Sequence, residues 1–236
     1  LTSKKYIDFF NQSKLIDFTI QDNRRGILRS IGLLYNIILK KFDLIVDLQN
    51  SKRTFFYHFF IKLLSNSKIN STHYLADFKY VYNKLNPPSV IEGLSNQIKI
   101  LGVFADRKPY LHWLKDDKIK MPELINKDYF IINPGCSIKN QYKRWSYKNF
   151  ALICNYLITK NISPVLIGSD EDSYIIEKIM LIAPQTINLL NKSPLSIIYN
   201  LSLKAKGALS NDTGPAHLIA ATNCKIHLIL SNRSNI

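Results

Sequence analysis

Apolar residues fall along the chain in short buried runs separated by amphipathic stretches, and the second half shows this most regularly. Tyr129-Phe130-Ile131-Ile132-Asn133 predicts a strand buried on both faces, stopped by Pro134-Gly135. Ser146 stands where it would cap a helix from Tyr147 to about Lys160, and Val165-Leu166-Ile167 predicts the next strand. A helix over Ser173 to Ile182 follows, with Asp170, Glu171 and Asp172 at its positive end. Thr186 to Leu189 predicts a strand, Ser193-Pro194 opens a helix through Leu201, and Gly207-Ala208-Leu209-Ser210 predicts a further strand. A helix from Pro215 to Ala221, with Gly214 as a small N-cap, and a strand from Ile226 to Leu230 close the series. Strands alternating with helices in this way predict an α/β domain with a doubly wound parallel sheet.

The first half follows the same alternation less evenly. Ile16 to Ile20 and Leu44 to Asp47 read as strands, with a helix from about Arg25 to Lys40 between them and another over Ser51 to Leu64. Within that last helix Phe55, Phe56, Phe59, Phe60 and Leu63 form an apolar stripe, read as core with one edge able to touch a membrane. Pro87-Pro88 breaks the pattern before a helix over Val90 to Leu101. Residues Phe104 to Glu123 are charged and punctuated by Pro109 and Pro122, which predicts two domains, residues 1–122 and 123–236. No internal repeat and no low-complexity tract interrupts them.

Composition narrows the class. The chain has 236 residues, 46% of them hydrophobic, enough for real cores. Every long apolar run is broken by Lys, Asn or Asp, so none is long enough to span a bilayer, and the first residues lack a charged-then-apolar export signal. Three cysteines, Cys136, Cys154 and Cys224, lie far apart without metal-ligand spacing, the pattern of reduced thiols in a cytoplasmic protein. The net charge of +15 points to an anionic partner. Part of it reflects the abundance of Lys, Asn and Ile and the scarcity of Gly that an AT-rich genome produces. No zinc-finger or other nucleic-acid motif accompanies the charge, and no Gly-x-Gly-x-x-Gly run supports a dinucleotide oxidoreductase.

The candidate chemistry gathers at strand ends. Asn211-Asp212-Thr213-Gly214-Pro215-Ala216-His217 follows a strand and opens a helix, whose first amides suit an anion. His217 can aim a ring N–H at the same anion, while the Asp212 carboxylate suits a sugar hydroxyl. Asp, Thr, Gly and Pro also make an ordinary turn and cap. Lys143-Arg144-Trp145 lies in the loop after Pro134-Gly135, over the same sheet edge. Lys143 is a point charge suited to diphosphate, Ser137 adds a hydroxyl, Arg144 reads as a solvated cation and Trp145 as a packing residue. Asp172, with Glu171 as its rival, follows a strand where a carboxylate accepts ribose hydroxyls, although helix capping explains it too. In the first half, Lys52 and Arg53 follow the strand-end segment Asp47-Leu48-Gln49 and could meet acceptor anions, or be surface cations. His58 and His227 have no partner pattern and read as structural.

The ordered run Asp212-Thr213-Gly214-x-x-His217 resembles the signature of the heptosyltransferase-like family of glycosyltransferases, glycosyltransferase family 9. The Pro134-Gly135 turn with Lys143-Arg144-Trp145 and the Asp47-Leu48-Gln49 segment resemble further motifs of that family at matching places. The resemblance implies the GT-B architecture, two Rossmann-like domains facing a cleft, with an incomplete first domain. It implies transfer of a heptose or related sugar from an ADP-activated donor to a lipopolysaccharide-core acceptor, without cofactor or metal and with no nucleic-acid partner. Donor contacts would come from Ser137, Lys143, Asp172, Asp212, Thr213, Gly214 and His217, with the Asn191 to Leu195 loop lining the adenine pocket. Acceptor phosphates or Kdo-type carboxylates would meet Lys52 and Arg53. The resemblance places the general base on a first loop that this sequence is expected to lack, together with the closing helices. A cytoplasmic enzyme touching the inner-membrane face would fit. The alternatives are another nucleotide-sugar enzyme on this fold, such as a UDP-sugar transferase or epimerase, and a non-catalytic sugar-nucleotide-binding module.

Overall fold

A computed structural model describes residues 1–22, 26–105, 109–115 and 128–231. The chain divides into two compact units, Leu1–Pro109 and Tyr110–Ile236. The expected boundary at 122/123 falls within 116–127, outside the described residues, as does Arg25, the expected start of a helix. No helix among the described residues is long and apolar enough to cross a membrane.

The first unit carries a three-stranded parallel sheet, β1 (Leu44–Val46), β2 (Lys68–Ser71) and β3 (Phe78–Lys79), in that order. Around it lie α1 (Ile7–Ser13), α2 (Ile27–Leu39), α3 (Lys52–Leu64) and α4 (Val90–Lys99). The expected strand at Ile16 to Ile20 is absent. That segment finds a single bridge partner, Thr2 opposite Gln21, too little pairing to make a ladder. Helix α3 starts where Ser51 predicts, because Ser51 and Thr54 cap each other reciprocally: the Thr54 amide donates to Ser51 Oγ and the Ser51 amide to Thr54 Oγ1.

The apolar face of α3 corrects the expected stripe. Tyr57, His58 and Ile61 face inward, whereas Phe56, Phe59 and Leu63 are 47%, 51% and 68% exposed. Apolar and polar residues alternate around this helix without a single apolar face, and His58 lies on the buried side, so spacing alone could not select it. Its core partners are Leu33, Leu34 and Ile69, a small cluster.

Polar groups knit this unit together. Gln97 of α4 is 1% exposed and donates to the Asp47 carbonyl (2.8 Å) and Asn70 Oδ1 (3.0 Å) while accepting from Asn50 (2.8 Å). The Asn70 amide group donates in turn to the Phe78 carbonyl, so one side-chain network joins all three strands to α4. Asp77 accepts from Lys62 (2.8 and 2.9 Å) and from the Ile69 amide (2.8 Å). Burial pushes its carboxyl up, but the Lys62 and Ile69 hydrogen bonds with the Lys62 and Lys68 charges outweigh that and hold it below the ordinary carboxylate value.

The second unit is the regular one. Five parallel strands, β4 (Tyr129–Asn133), β5 (Ser163–Gly168), β6 (Ile187–Leu190), β7 (Gly207–Asn211) and β8 (Ile226–Ile229), lie in the order β6-β5-β4-β7-β8. The connecting helices are α5 (Tyr147–Thr159), α6 (Ser173–Ile182), α7 (Leu195–Lys204) and α8 (Gly214–Ala220). Right-handed crossovers put α5 with α6 on one face and α7 with α8 on the other, and each pair packs together. The strands are as expected to within a residue or two, and α7 runs on to Lys204. Ile132, Phe150, Cys154, Leu166, Ile176 and Ile179 fill one side of the sheet without exposure. Burial pushes the Cys154 thiol to about 11 and the Tyr129 hydroxyl, which donates to the Leu201 carbonyl, to about 12. At Gly207 a Cβ would stand 2.6 Å from the Phe130 ring, so β7 and β4 sit together only because that position is glycine.

Candidate functional site

Strand order locates the polar site. The chain runs outward from β4 through β5 to β6, then crosses to β7 on the other side of β4. The loops after β4 and β7 therefore diverge at the reversal of the sheet, where doubly wound sheets leave a crevice for ligands. They hold Ser137 and Lys143 on one side and Asp212, Thr213, Gly214 and His217 on the other.

Two buried asparagines fix these loops. Asn133, the last residue of β4, donates to Ser210 Oγ and Thr213 Oγ1, both at 2.8 Å. Asn211, the last residue of β7, donates to the carbonyls of Pro134 (2.9 Å) and Gly135 (3.2 Å) and accepts from the Trp145 amide (3.1 Å). Strand-end side chains thus replace the ladder hydrogen bonds that stop where the strands part. Sequence reasoning passed over both as site builders; their signal was an amide side chain at the end of each buried apolar run. Trp145 packs edge-on against Phe150 with ring centroids 5.1 Å apart, so its indole anchors the basic loop as expected.

Lys143 and Asp212 meet across the reversal. The ammonium lies 2.6 Å from Asp212 Oδ2, with the side chains 19% and 22% exposed. The carboxylate holds the ammonium above the ordinary lysine value, against a smaller opposing push from burial. His217 stands on the same side: its Nε2 is 3.6 Å from Asp212 Oδ1, beyond hydrogen-bond reach, and its side chain is 74% exposed. A fixed cation, an acceptor oxygen and an exposed imidazole therefore share one small region. Thr213 is the N-cap residue of α8 and Gly214 its first helical residue, so the cap lies one position earlier than expected. The Thr213 hydroxyl is taken by Asn133, and α8 has only seven residues, so its dipole adds little. Ser137 stands exposed at the start of the loop after β4.

Asp172 lies elsewhere in this arrangement. It is 7% exposed and accepts from the Cys136 amide, Arg144, the Ser169 amide and the Ser169 hydroxyl. A Cβ on Gly135 would approach its Oδ2 to 2.7 Å. Its carboxylate is thus spent on bracing the loops, and Glu171 is the more exposed neighbour. Arg144, expected in solvent, donates to the Cys136 carbonyl (3.0 Å) and Asp172 (3.3 Å) with its side chain 19% exposed. Burial pushes the Cys136 thiol up, partly offset by Arg144 and Lys143.

In the first unit Lys52 is exposed in the first turn of α3. Arg53 is engaged instead: it donates to Asp22 (2.7 Å) and to the Tyr57 hydroxyl (2.6 Å). His58 is buried beside Asp47. Desolvation lowers its pKa, Asp47 opposes that, and His73 adds to it.

The second unit is thus a Rossmann-like α/β unit with its polar loops at the sheet reversal, where open α/β sheets leave a crevice. The chain belongs to glycosyltransferase family 9 (heptosyltransferase), whose family model matches residues 68–226. It is 22% identical over 221 residues to lipooligosaccharide heptosyltransferase 2 of Haemophilus influenzae, an alignment covering 82% of this chain and 62% of that protein. The chain thus spans less than two thirds of that relative's length. Among solved structures it is similar to the ADP-heptose lps heptosyltransferase II of E. coli, with TM-score 0.68, 18% identity, and 96% of this chain and 73% of that one covered. It is also similar to E. coli heptosyltransferase WaaC with ADP-2-deoxy-2-fluoro heptose, with TM-score 0.71, 13% identity, and 99% and 79% covered. The fold is α/β of the GT-B type, as the sequence led us to expect.

Proposed function

We propose that this protein serves glycosyl transfer from an ADP-activated heptose, or a related sugar, to a lipopolysaccharide-core acceptor. The observation that carries this reading is the Lys143–Asp212 pair joining the two loops at the sheet reversal, with His217 exposed beside it. Membership of glycosyltransferase family 9 and the ADP-heptose named for the similar E. coli enzymes support the choice of donor.

In this reading the Lys143 ammonium meets the donor diphosphate, with His217 and the Ser137 hydroxyl as further donors around it. Asp212 holds Lys143 in place and offers its second oxygen to a hydroxyl of the ligand; Thr213 and Gly214 shape the turn. As the acceptor oxygen bonds to the anomeric carbon, the bond from that carbon to the diphosphate oxygen breaks and negative charge grows on the leaving group. A cation already fixed at that point favours this charge without reorganising. The acceptor proton needs a base, which none of these residues supplies. Asp172 contributes by position, keeping the Gly135 turn and Arg144 where the loop requires them. In this reading Lys52 meets anionic groups of the acceptor, while Arg53 is held by Asp22 and the Tyr57 hydroxyl. The net positive charge and the exposed Phe56, Phe59 and Leu63 of α3 suit work at the cytoplasmic face of the inner membrane.

Calorimetric titration of the chain with ADP and with UDP tests the donor assignment. Tighter binding of ADP is expected. Selective binding of UDP would turn the assignment toward a UDP-sugar enzyme on the same fold.

A further inference from the structure

Three nitrogen and oxygen donors converge in the first unit, apart from every residue used above for the donor. Asp47 directly follows β1. Its Oδ1 accepts from the amides of Gln49 (2.9 Å) and Asn50 (3.1 Å), which fixes the carboxylate in one orientation. Its Oδ2 is buried and has no hydrogen-bond partner among the described residues. Facing that oxygen are His58 Nε2 at 3.3 Å and His73 Nε2 at 4.0 Å, and the three potential ligand atoms lie within 4.8 Å of one another. His73 Nε2 is likewise buried without a hydrogen-bond partner among the described residues. His58 comes from the inner face of α3, and His73 from the loop after β2, where its amide donates to Ser71 Oγ (3.0 Å). The two rings stand edge to face, 70° apart with centroids at 5.4 Å, so both can present a nitrogen to one point.

We infer that Asp47, His58 and His73 form a binding site for a divalent transition-metal cation of the zinc class. Leaving a carboxylate oxygen and an imidazole nitrogen buried and unpaired costs stability, and a shared cation satisfies both together. Metal–ligand bonds of about 2.0–2.2 Å in tetrahedral geometry set donor atoms roughly 3.3–3.6 Å apart. The His58–Asp47 distance already meets that spacing, and His73, 4.0 Å from Asp47 with all three atoms within 4.8 Å, would move inward to complete it. Imidazole with carboxylate suits zinc and its neighbours over magnesium or calcium, which want more oxygen ligands. Three protein ligands leave one position open to water or to an anionic group. His58 Nδ1 has no hydrogen-bond partner among the described residues, so this ligand is held by the packing of α3 rather than by a supporting carboxylate, which lowers the expected affinity. The three ligands join β1, α3 and the loop after β2, so the cation would tie together the unit with the smaller apolar core.

The test uses the full chain, freed of metal by a chelator and titrated with Zn²⁺ by calorimetry and with Co²⁺ by visible absorption. The expected result is one equivalent bound, with the intense cobalt bands of a four-coordinate site. His73→Gln and Asp47→Asn should each weaken binding roughly tenfold or more. His227→Gln, an exposed histidine on β8, should leave it unchanged. His73 is partly exposed, so its replacement leaves the core intact, and circular dichroism of the variant checks this directly. Absence of stoichiometric binding by the folded wild-type chain would overturn the inference. So would binding that survives in the folded His73→Gln and Asp47→Asn variants.

Discussion

The two units reach stability by different routes. In Tyr110–Ile236 the inner strands β4, β5 and β7 are largely apolar and buried along most of their length, and their buried polar side chains, Asn133, Ser210 and Asn211, stand where β4 and β7 end. In Leu1–Pro109 the strands are two to four residues long and the centre is largely polar: Asp47, His58, Asn70, Ser71 and Gln97 are all buried. An apolar core fixes where loops emerge and leaves their side chains free for ligands. A polar core spends its side chains on holding its own strands, which is why Gln97, Asn70 and Arg53 have little left to offer a ligand.

Both tryptophans, Trp113 and Trp145, lie in the second unit, so their fluorescence follows that unit alone. The largest effect is expected from Phe150→Ala. It empties the centre of the second core and should cost about 3–5 kcal/mol, read as an early shift of the fluorescence-detected urea transition. Gln97→Leu should cost about 2–4 kcal/mol by stranding the Asp47 carbonyl and the Asn50 amide group. Its signature is loss of amide-exchange protection in β1, β2 and α4 with the tryptophan transition in place. An equal shift of that transition would break the contrast between the two units.

Asp77→Asn is the smallest and is tied to pH. The folded carboxyl is held below the unfolded value of 3.8, so its contribution is whole above that value and fades as pH falls through the folded one. The variant should be less stable by about 1 kcal/mol at neutral pH, given partial exposure of the pair. The gap in first-unit stability, followed by amide exchange or urea unfolding, should close in acid; a gap that widened there would reverse the sign of the linkage.

The same contrast governs what could be read from the chain. Tyr129–Asn133 and Gly207–Asn211 are legible because burial on both faces demands continuous apolar residues. Lys68–Ser71 is a strand despite its sequence Lys-Ile-Asn-Ser, since Asn70 and Ser71 are buried by hydrogen bonds that only the fold supplies. For the same reason the aromatic run of α3 did not reveal its inner face. Around the candidate site, Lys143, Asp212 and His217 were legible as an ordered motif, and the structure brings them together. Arg144 was misjudged in exposure because its partner Asp172 lies 28 residues away, a pairing that local spacing does not contain; for Asp172 the structure shows the capping contact, with the Ser169 amide donating to its carboxylate.

In the proposed function, the cation fixed at the sheet reversal receives the donor diphosphate. Calorimetric titration with ADP of the wild-type chain and of Lys143→Ala tests it most directly, with the tryptophan transition as the check on folding. ADP affinity should fall about ten- to a hundredfold in the variant, the worth of one charge-assisted contact, with the transition unmoved. Equal ADP affinity in the two folded proteins would contradict it.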